Sequence, residues 1–110
     1  KEKKYNLKIF FCKKCKASQI KKIVNRNILF EDYYYLSSVN KKLKEHFENL
    51  SLKLKKFDFV VDIGSNDGIL LSPLKKLNIN SIGIDPSKNV GEIANKKGLK
   101  TFIGFLINVW

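Results

Sequence analysis

The chain has 110 residues, 44% of them hydrophobic, with eight Phe and four Tyr; that is the size of one small domain and too apolar for a disordered polymer. It carries 22 Lys+Arg against 10 Asp+Glu, a formal net charge of +12, with Arg26 the sole arginine. Arginine forks dominate specific recognition of bases and phosphates, and these lysines are scattered, so most read as solvated surface and argue against nucleic acid as the partner. No apolar run of ~18 residues offers a membrane span. The first residues lack the apolar core of a secretory signal, and a cytoplasmic location is the default expectation. The chain has no methionine, which predicts a start behind a removed segment or a fragment of a longer protein.

In chain order, "YNLKIFF" (5–11) reads as a strand, followed by "CKKC" at Cys12–Cys15. "ASQIKKIV" (17–24) reads as a second strand of a small ribbon, and "NILFEDYYYLSSV" (27–39) as an aromatic loop. Leu43, Phe47, Leu50 and Leu54 recur at helical spacing and predict a helix over 40–55. Ser38 or Asn40 can cap it through a short side-chain oxygen. "FDFVVDI" (57–63) is β-branched and apolar, as in a buried strand. A glycine turn follows, then Leu70, Leu71, Leu74 and Leu77 place a helix over 67–77, with a distortion expected at Pro73. "INSIGI" (79–84) is a further strand, 87–97 a helix closed by Gly98, and "KTFIGF" (100–105) a last strand. This alternation predicts an α/β domain with a parallel sheet and helical crossovers. The division expected is 1–39 as one segment and 40–110 as linking helix and cofactor domain. Only three strands of such a sheet are legible, which predicts an open third-strand edge and uncovered apolar surface.

The turn after Ile63 reads "DIGSNDG". Gly64 and Gly68 permit a sharp turn and close approach of a ligand to the backbone. The turn stands at the carboxyl end of a parallel strand, where open α/β sheets bind ligands. Its G-x-x-x-G spacing departs from the dinucleotide fingerprint G-x-G-x-x-G and excludes a P-loop. Asp62 and Asp67 would repel a pyrophosphate but tolerate a cofactor with positive charge. Asp85 ends the next strand roughly twenty residues later, where an acid can accept hydrogen bonds from both ribose hydroxyls. S-adenosylmethionine fits this set better than NAD, because it has an ammonium and a sulfonium and no phosphate. The competing reading is a plain strand–helix turn with Asp85 facing solvent.

On these motifs, "FVVDIGSNDG…GIDPSKNVGEIANKKGLKTF" resembles the S-adenosylmethionine-dependent C-methyltransferases of nucleotide-linked deoxysugars. These join an N-terminal zinc-binding domain to a Rossmann-like domain with "(E/D)IGSNDG" and "G(V/I)DP" motifs. The resemblance extends upstream through "FCKKC" and "LFEDYYYLSSVNKKLKEHF", over roughly residues 5 to 103. It implies that Asp62, Gly64, Ser65, Asn66 and Gly68 form the cofactor turn and that Asp85 binds the ribose. It also implies that Tyr33, Tyr35 and Ser38, in a Y-x-Y-x-S-S segment, help close over the cofactor. The plainer reading of that segment is an aromatic packing loop. Two cysteines cannot complete a tetrahedral zinc site, the context does not support a thioredoxin-like redox motif, and a chance pair of buried cysteines is the plain alternative; the resemblance implies that Cys12 and Cys15 are half of a four-cysteine site. His46, the sole histidine, falls in the predicted helix. The fold implied is thus a partial Rossmann-like domain behind an incomplete zinc-ribbon-like segment. The substrate implied is a small nucleotide-sugar, with the catalytic half of the enzyme after residue 110 and no turnover by this chain alone. The alternatives are a small basic nucleic-acid-binding module and a fragment without function of its own.

Overall fold

A computed structural model describes residues 3–108; Lys1, Glu2, Val109 and Trp110, the last two within the divergent "LINVW" ending, lie outside the described residues. Strands β1 (Ile9–Phe11) and β2 (Ser18–Ile20) form an antiparallel ribbon with Phe10 opposite Gln19, as the sequence suggests. The stretch expected to be only loop holds a short helix, α1 (Arg26–Phe30), capped by the Asn25 side chain, and a single 3-10 turn at Ser37–Val39. Helix α1 docks on the chain after the last strand: the Arg26 guanidinium lies 4.4 Å from the Phe105 ring centre, and Phe30 meets Phe105 edge-on.

Helix α2 (Lys41–Lys53) is where its apolar spacing placed it, and a 3-10 turn (Leu54–Lys56) continues it. Asn40 is the cap, its side chain accepting from the Leu43 N–H at 3.0 Å. Leu43, Phe47, Leu50 and Leu54 are half-buried, and the helix packs against α3 (Leu71–Lys76). Strands β3 (Phe59–Ile63), β4 (Asn80–Asp85) and β5 (Thr101–Ile103) form a parallel sheet in the order β3-β4-β5. Helices α3 and α4 (Lys88–Lys96) are its crossovers. The chain is therefore α/β, with a three-stranded parallel sheet compatible with part of a Rossmann-like domain.

Helix α3 begins four residues later than expected. Pro73 then stands in the first helical turn, where a missing N–H matters little, so no distortion is needed. Both crossover helices end in the same motif. Asn78 and Gly98 adopt left-handed backbone, with φ of 56° and 69°. The following amides reach back, Ile79 to the Leu74 carbonyl and Leu99 to the Ala94 carbonyl, each at 3.0 Å, which satisfies the carbonyls freed at a helix end.

The core lies between the helices and one face of the sheet. Leu71, Ala94 and Leu99 cluster there, with Leu74 and Val90 fully buried. Gly83 is the point of closest approach: a Cβ there would meet the Ser65 hydroxyl and stand 2.8 Å from Leu71 Cδ1. The other face of β3 is open, with Phe59, Val61 and Ile63 at 58%, 48% and 61% exposure. The open apolar surface expected at the third strand thus extends across to β3, itself an edge of the described sheet. Among the described residues, no helix is long and apolar enough to cross a membrane.

Gly83→Ala should therefore destabilise the chain by about 1–3 kcal/mol, the usual penalty of overpacking. The check is the urea midpoint at constant slope; an unchanged midpoint would mean that the glycine turn does not rest on the sheet as described.

Candidate functional site

Three segments meet at the carboxyl ends of β3 and β4: the turn Gly64–Leu70, the corner Asp85–Ser87 and the aromatic segment Glu31–Ser38. The turn is bound tightly to the sheet. Gly64 and Ser65 both donate their backbone N–H to the Ile84 carbonyl, at 2.8 and 3.2 Å. Asn66 donates its N–H to Asp85 Oδ2 at 2.7 Å, and Gly68 its own to the Ser65 carbonyl at 2.9 Å. These four amides are the kind that a phosphate-binding loop would aim at its ligand. Here they are spent on the protein, in agreement with a spacing that excludes a P-loop.

Gly64 has φ of +80°, a conformation costly for residues with a Cβ. A Cβ built on it would meet nothing within 4 Å, so the space beside this backbone is free. Gly68 differs: a Cβ there would contact Leu99, so it is a packing position. Ser65 is buried beneath the turn, its hydroxyl directed at Gly83 and without a hydrogen-bond partner.

Two carboxylates flank Gly64. Asp62 is half-buried near the end of β3, and its carboxyl is pushed above the ordinary range, first by burial and then by the like charge of Asp85. Among the described residues the one ion pair joins Lys97 to Asp67, at 3.2 Å, so no lysine neutralises Asp62. Asp85 is buried; its Oδ2 accepts from Asn66 and its Oδ1 from the Ser87 N–H at 2.9 Å. Each carboxylate oxygen keeps a further lone pair. Asp85 is thus the joint between the turn and the start of α4, whatever else it binds.

The polar residues of "SND" divide in role. Asp67 is fully buried, takes the Ser38 backbone N–H at 3.2 Å and the Ser38 hydroxyl, and is neutralised by Lys97. Its charge is not offered to a ligand, so the expectation of two available acids in the turn narrows to Asp62. Asn66, at φ of +49°, accepts from the Ser37 N–H at 2.9 Å and donates its amide to the Tyr35 carbonyl at 3.0 Å. The side chains of Asn66 and Ser38 therefore hold the aromatic segment to the turn. Ser38 does not cap α2.

Further along the same segment, the Asn89 amide grips the Tyr33 backbone twice, accepting its N–H at 3.0 Å and donating to its carbonyl at 2.8 Å. Lys88 N–H adds a bond to the Glu31 carbonyl. Sequence reading missed Asn89, whose only signal is an amide in the first turn of the helix behind "DPS". Tyr33 and Tyr35 are partly exposed, and Tyr34, between the two anchored stretches, is 95% exposed.

Cys12 and Cys15 occupy the tip of the ribbon, both as free thiols. Cys12 N–H bonds the Ala17 carbonyl, and Lys16, with φ of 62°, returns its N–H to the Cys12 carbonyl. The Cys12 thiol is held below its ordinary value, first by a hydrogen bond from the Cys15 backbone, then from the Cys15 side chain and the Lys14 backbone. Such a turn favours thiolate. Among the described residues, however, no group of three or more His, Cys, Asp or Glu could hold a metal. His46 lies on α2 against Phe47. Cys12 and Cys15 alone do not fit a structural zinc ion, which takes four ligands, and the zinc site expected by resemblance is not completed by these residues.

No protein-family model matches the chain. It is similar to the C-methyltransferase NovU of Streptomyces niveus, with 27% identity over 112 aligned residues. That similarity covers 96% of this chain and 27% of NovU, so the chain spans about a quarter of the length of the curated relative it matches.

Proposed function

We propose that this chain is a cofactor-binding part of a methyltransferase that uses S-adenosylmethionine and acts on a nucleotide-linked keto-sugar at carbon. The observation that carries the reading is the free space beside Gly64, set between Asp62 and Asp85 with no backbone N–H of Gly64, Ser65, Asn66 or Gly68 left for a phosphate. Similarity to a C-methyltransferase supports it, and the sugar rests on the resemblance of "DIGSNDG" and "GIDP" alone.

The residues fit the cofactor chemically. A positively charged ligand would relieve the repulsion between Asp62 and Asp85. Gly64 would let the ligand lie against backbone, and a remaining lone pair on Asp85 would accept a ribose hydroxyl. When bound, the cofactor supplies an electrophilic methyl group on a sulfonium. The chain's share of the work is to bind and orient it and to exclude water around it.

Isothermal titration with S-adenosylhomocysteine tests this reading. Gly64→Val should abolish measurable binding while costing only about 1–2 kcal/mol of stability, the strain of a left-handed residue. Asp85→Ala should lower affinity and stability together, because it also strands two backbone N–H groups. Binding that survives Gly64→Val unchanged would sink the cofactor assignment.

Asp62 adds a pH signature. Its folded carboxyl binds a proton more tightly than the unfolded one, so its contribution to stability is complete below about pH 4 and declines as pH rises through the elevated folded value. Asp62→Asn should flatten that decline in urea unfolding as pH rises above about 4. Over the same range, S-adenosylmethionine should bind the wild-type chain more tightly as Asp62 ionises. Superimposable pH profiles for the wild type and Asp62→Asn would rule out this role for Asp62.

A further inference from the structure

The aromatic segment is anchored at both of its ends to different strand termini. On one side, Asn66 and Asp67, in the turn after β3, hold the backbone of Tyr35, Ser37 and Ser38. On the other, Asn89, in the first turn of the helix after β4, holds both backbone polar groups of Tyr33. The segment therefore spans the gap between the carboxyl ends of two adjacent parallel strands, where Gly64, Asp62 and Asp85 stand. Only Tyr34 lies between the two anchored stretches, and its side chain is nearly fully exposed.

Hydrogen bonds of this kind are local to the backbone and independent of the tyrosine rings. A side-chain amide that pairs with both the N–H and the C=O of one residue fixes that residue's orientation as a strand partner would. The segment is thus ordered before any ligand arrives, and a ligand meeting it need not bear the entropic cost of arranging it.

We infer that Asn89 is a positioning residue of the cofactor site, holding the Tyr33–Tyr35 backbone as a preformed bridge over the strand ends. This inference rests on the proposed cofactor reading and extends it to a residue that sequence motifs do not mark. Among the described residues the Asn89 side chain bonds Tyr33 and neither Asp62 nor Gly64, so it acts through Tyr33.

The experiment is titration of S-adenosylhomocysteine into the 110-residue chain, its Asn89→Ala variant and its Asn89→Gln variant, with tyrosine fluorescence recorded alongside heat. Asn89→Ala should weaken binding about tenfold or more, the scale of losing one to two hydrogen bonds, and change the tyrosine fluorescence response to the ligand. Asn89→Gln, which keeps the amide's donor and acceptor, should recover part of both. Both bonds exist without ligand, so Asn89→Ala should also lower the urea midpoint, with Asn89→Gln nearer the wild-type value; the tyrosine response to ligand is the readout that lost stability alone would not move. Wild-type binding with equal affinity in all three chains, or equal losses in the Ala and Gln variants, would overturn the positioning role while leaving the cofactor reading intact. Absence of binding by the wild-type chain would overturn both.

Discussion

The Asp85 carboxylate is the constraint on which the site depends. One oxygen takes the amide of Asn66 and the other the amide of Ser87, so one buried group fixes the turn after β3 and the start of α4 at once. Burying a carboxylate is costly unless hydrogen bonds compensate it, and two backbone donors at 2.7 and 2.9 Å supply that compensation. With Asp85 in place, Asn66 enters its left-handed conformation with its side chain turned toward the aromatic segment. The left-handed φ of Gly64, the packing of Ser65 on Gly83 and the tether of Ser37 follow along the same short stretch.

Charge is distributed within the turn by burial. Asp67 is satisfied by Ser38 and Lys97, which makes it a structural group. Among the described residues Asp62 is left without a cation, next to Asp85, in a chain whose net charge is +12. An unpaired, partly buried acid amid so many lysines is a local electrostatic deficit, and such deficits concentrate at sites that complete themselves with a ligand. The same logic separates the two ends of the described chain. The cysteine turn on the ribbon polarises Cys12 through hydrogen bonds but has no third ligand among the described residues.

Much of the fold was legible because its signals are local. Leu43, Phe47, Leu50 and Leu54 mark α2 by their spacing, "FVVDI" marks β3 by its β-branched run, and Gly98 ends α4. Short elements escaped notice where tertiary contacts decide them. Helix α1 is five residues long, below the length at which propensity alone is informative, and depends on Phe30 and Arg26 meeting Phe105. The start of α3 lies later than the sequence implies because the leucine spacing already includes Leu70, which is buried in the turn before the helix.

The sequence by itself determined the order of elements, the position of the glycine turn and the exclusion of a phosphate-binding loop, since each depends on residue type and spacing along the chain. Only the tertiary structure decided which polar groups of "SND" remain free for a ligand. Asn66, Asp67 and Ser38 have the chemistry of binding residues when read in a line. Folding brings residues 35–38 against 66 and 67, where their side-chain polar atoms engage one another or the backbone of that segment. Asn89 became visible for the same reason: its partner, Tyr33, lies 56 positions away in the chain and one hydrogen bond away in space.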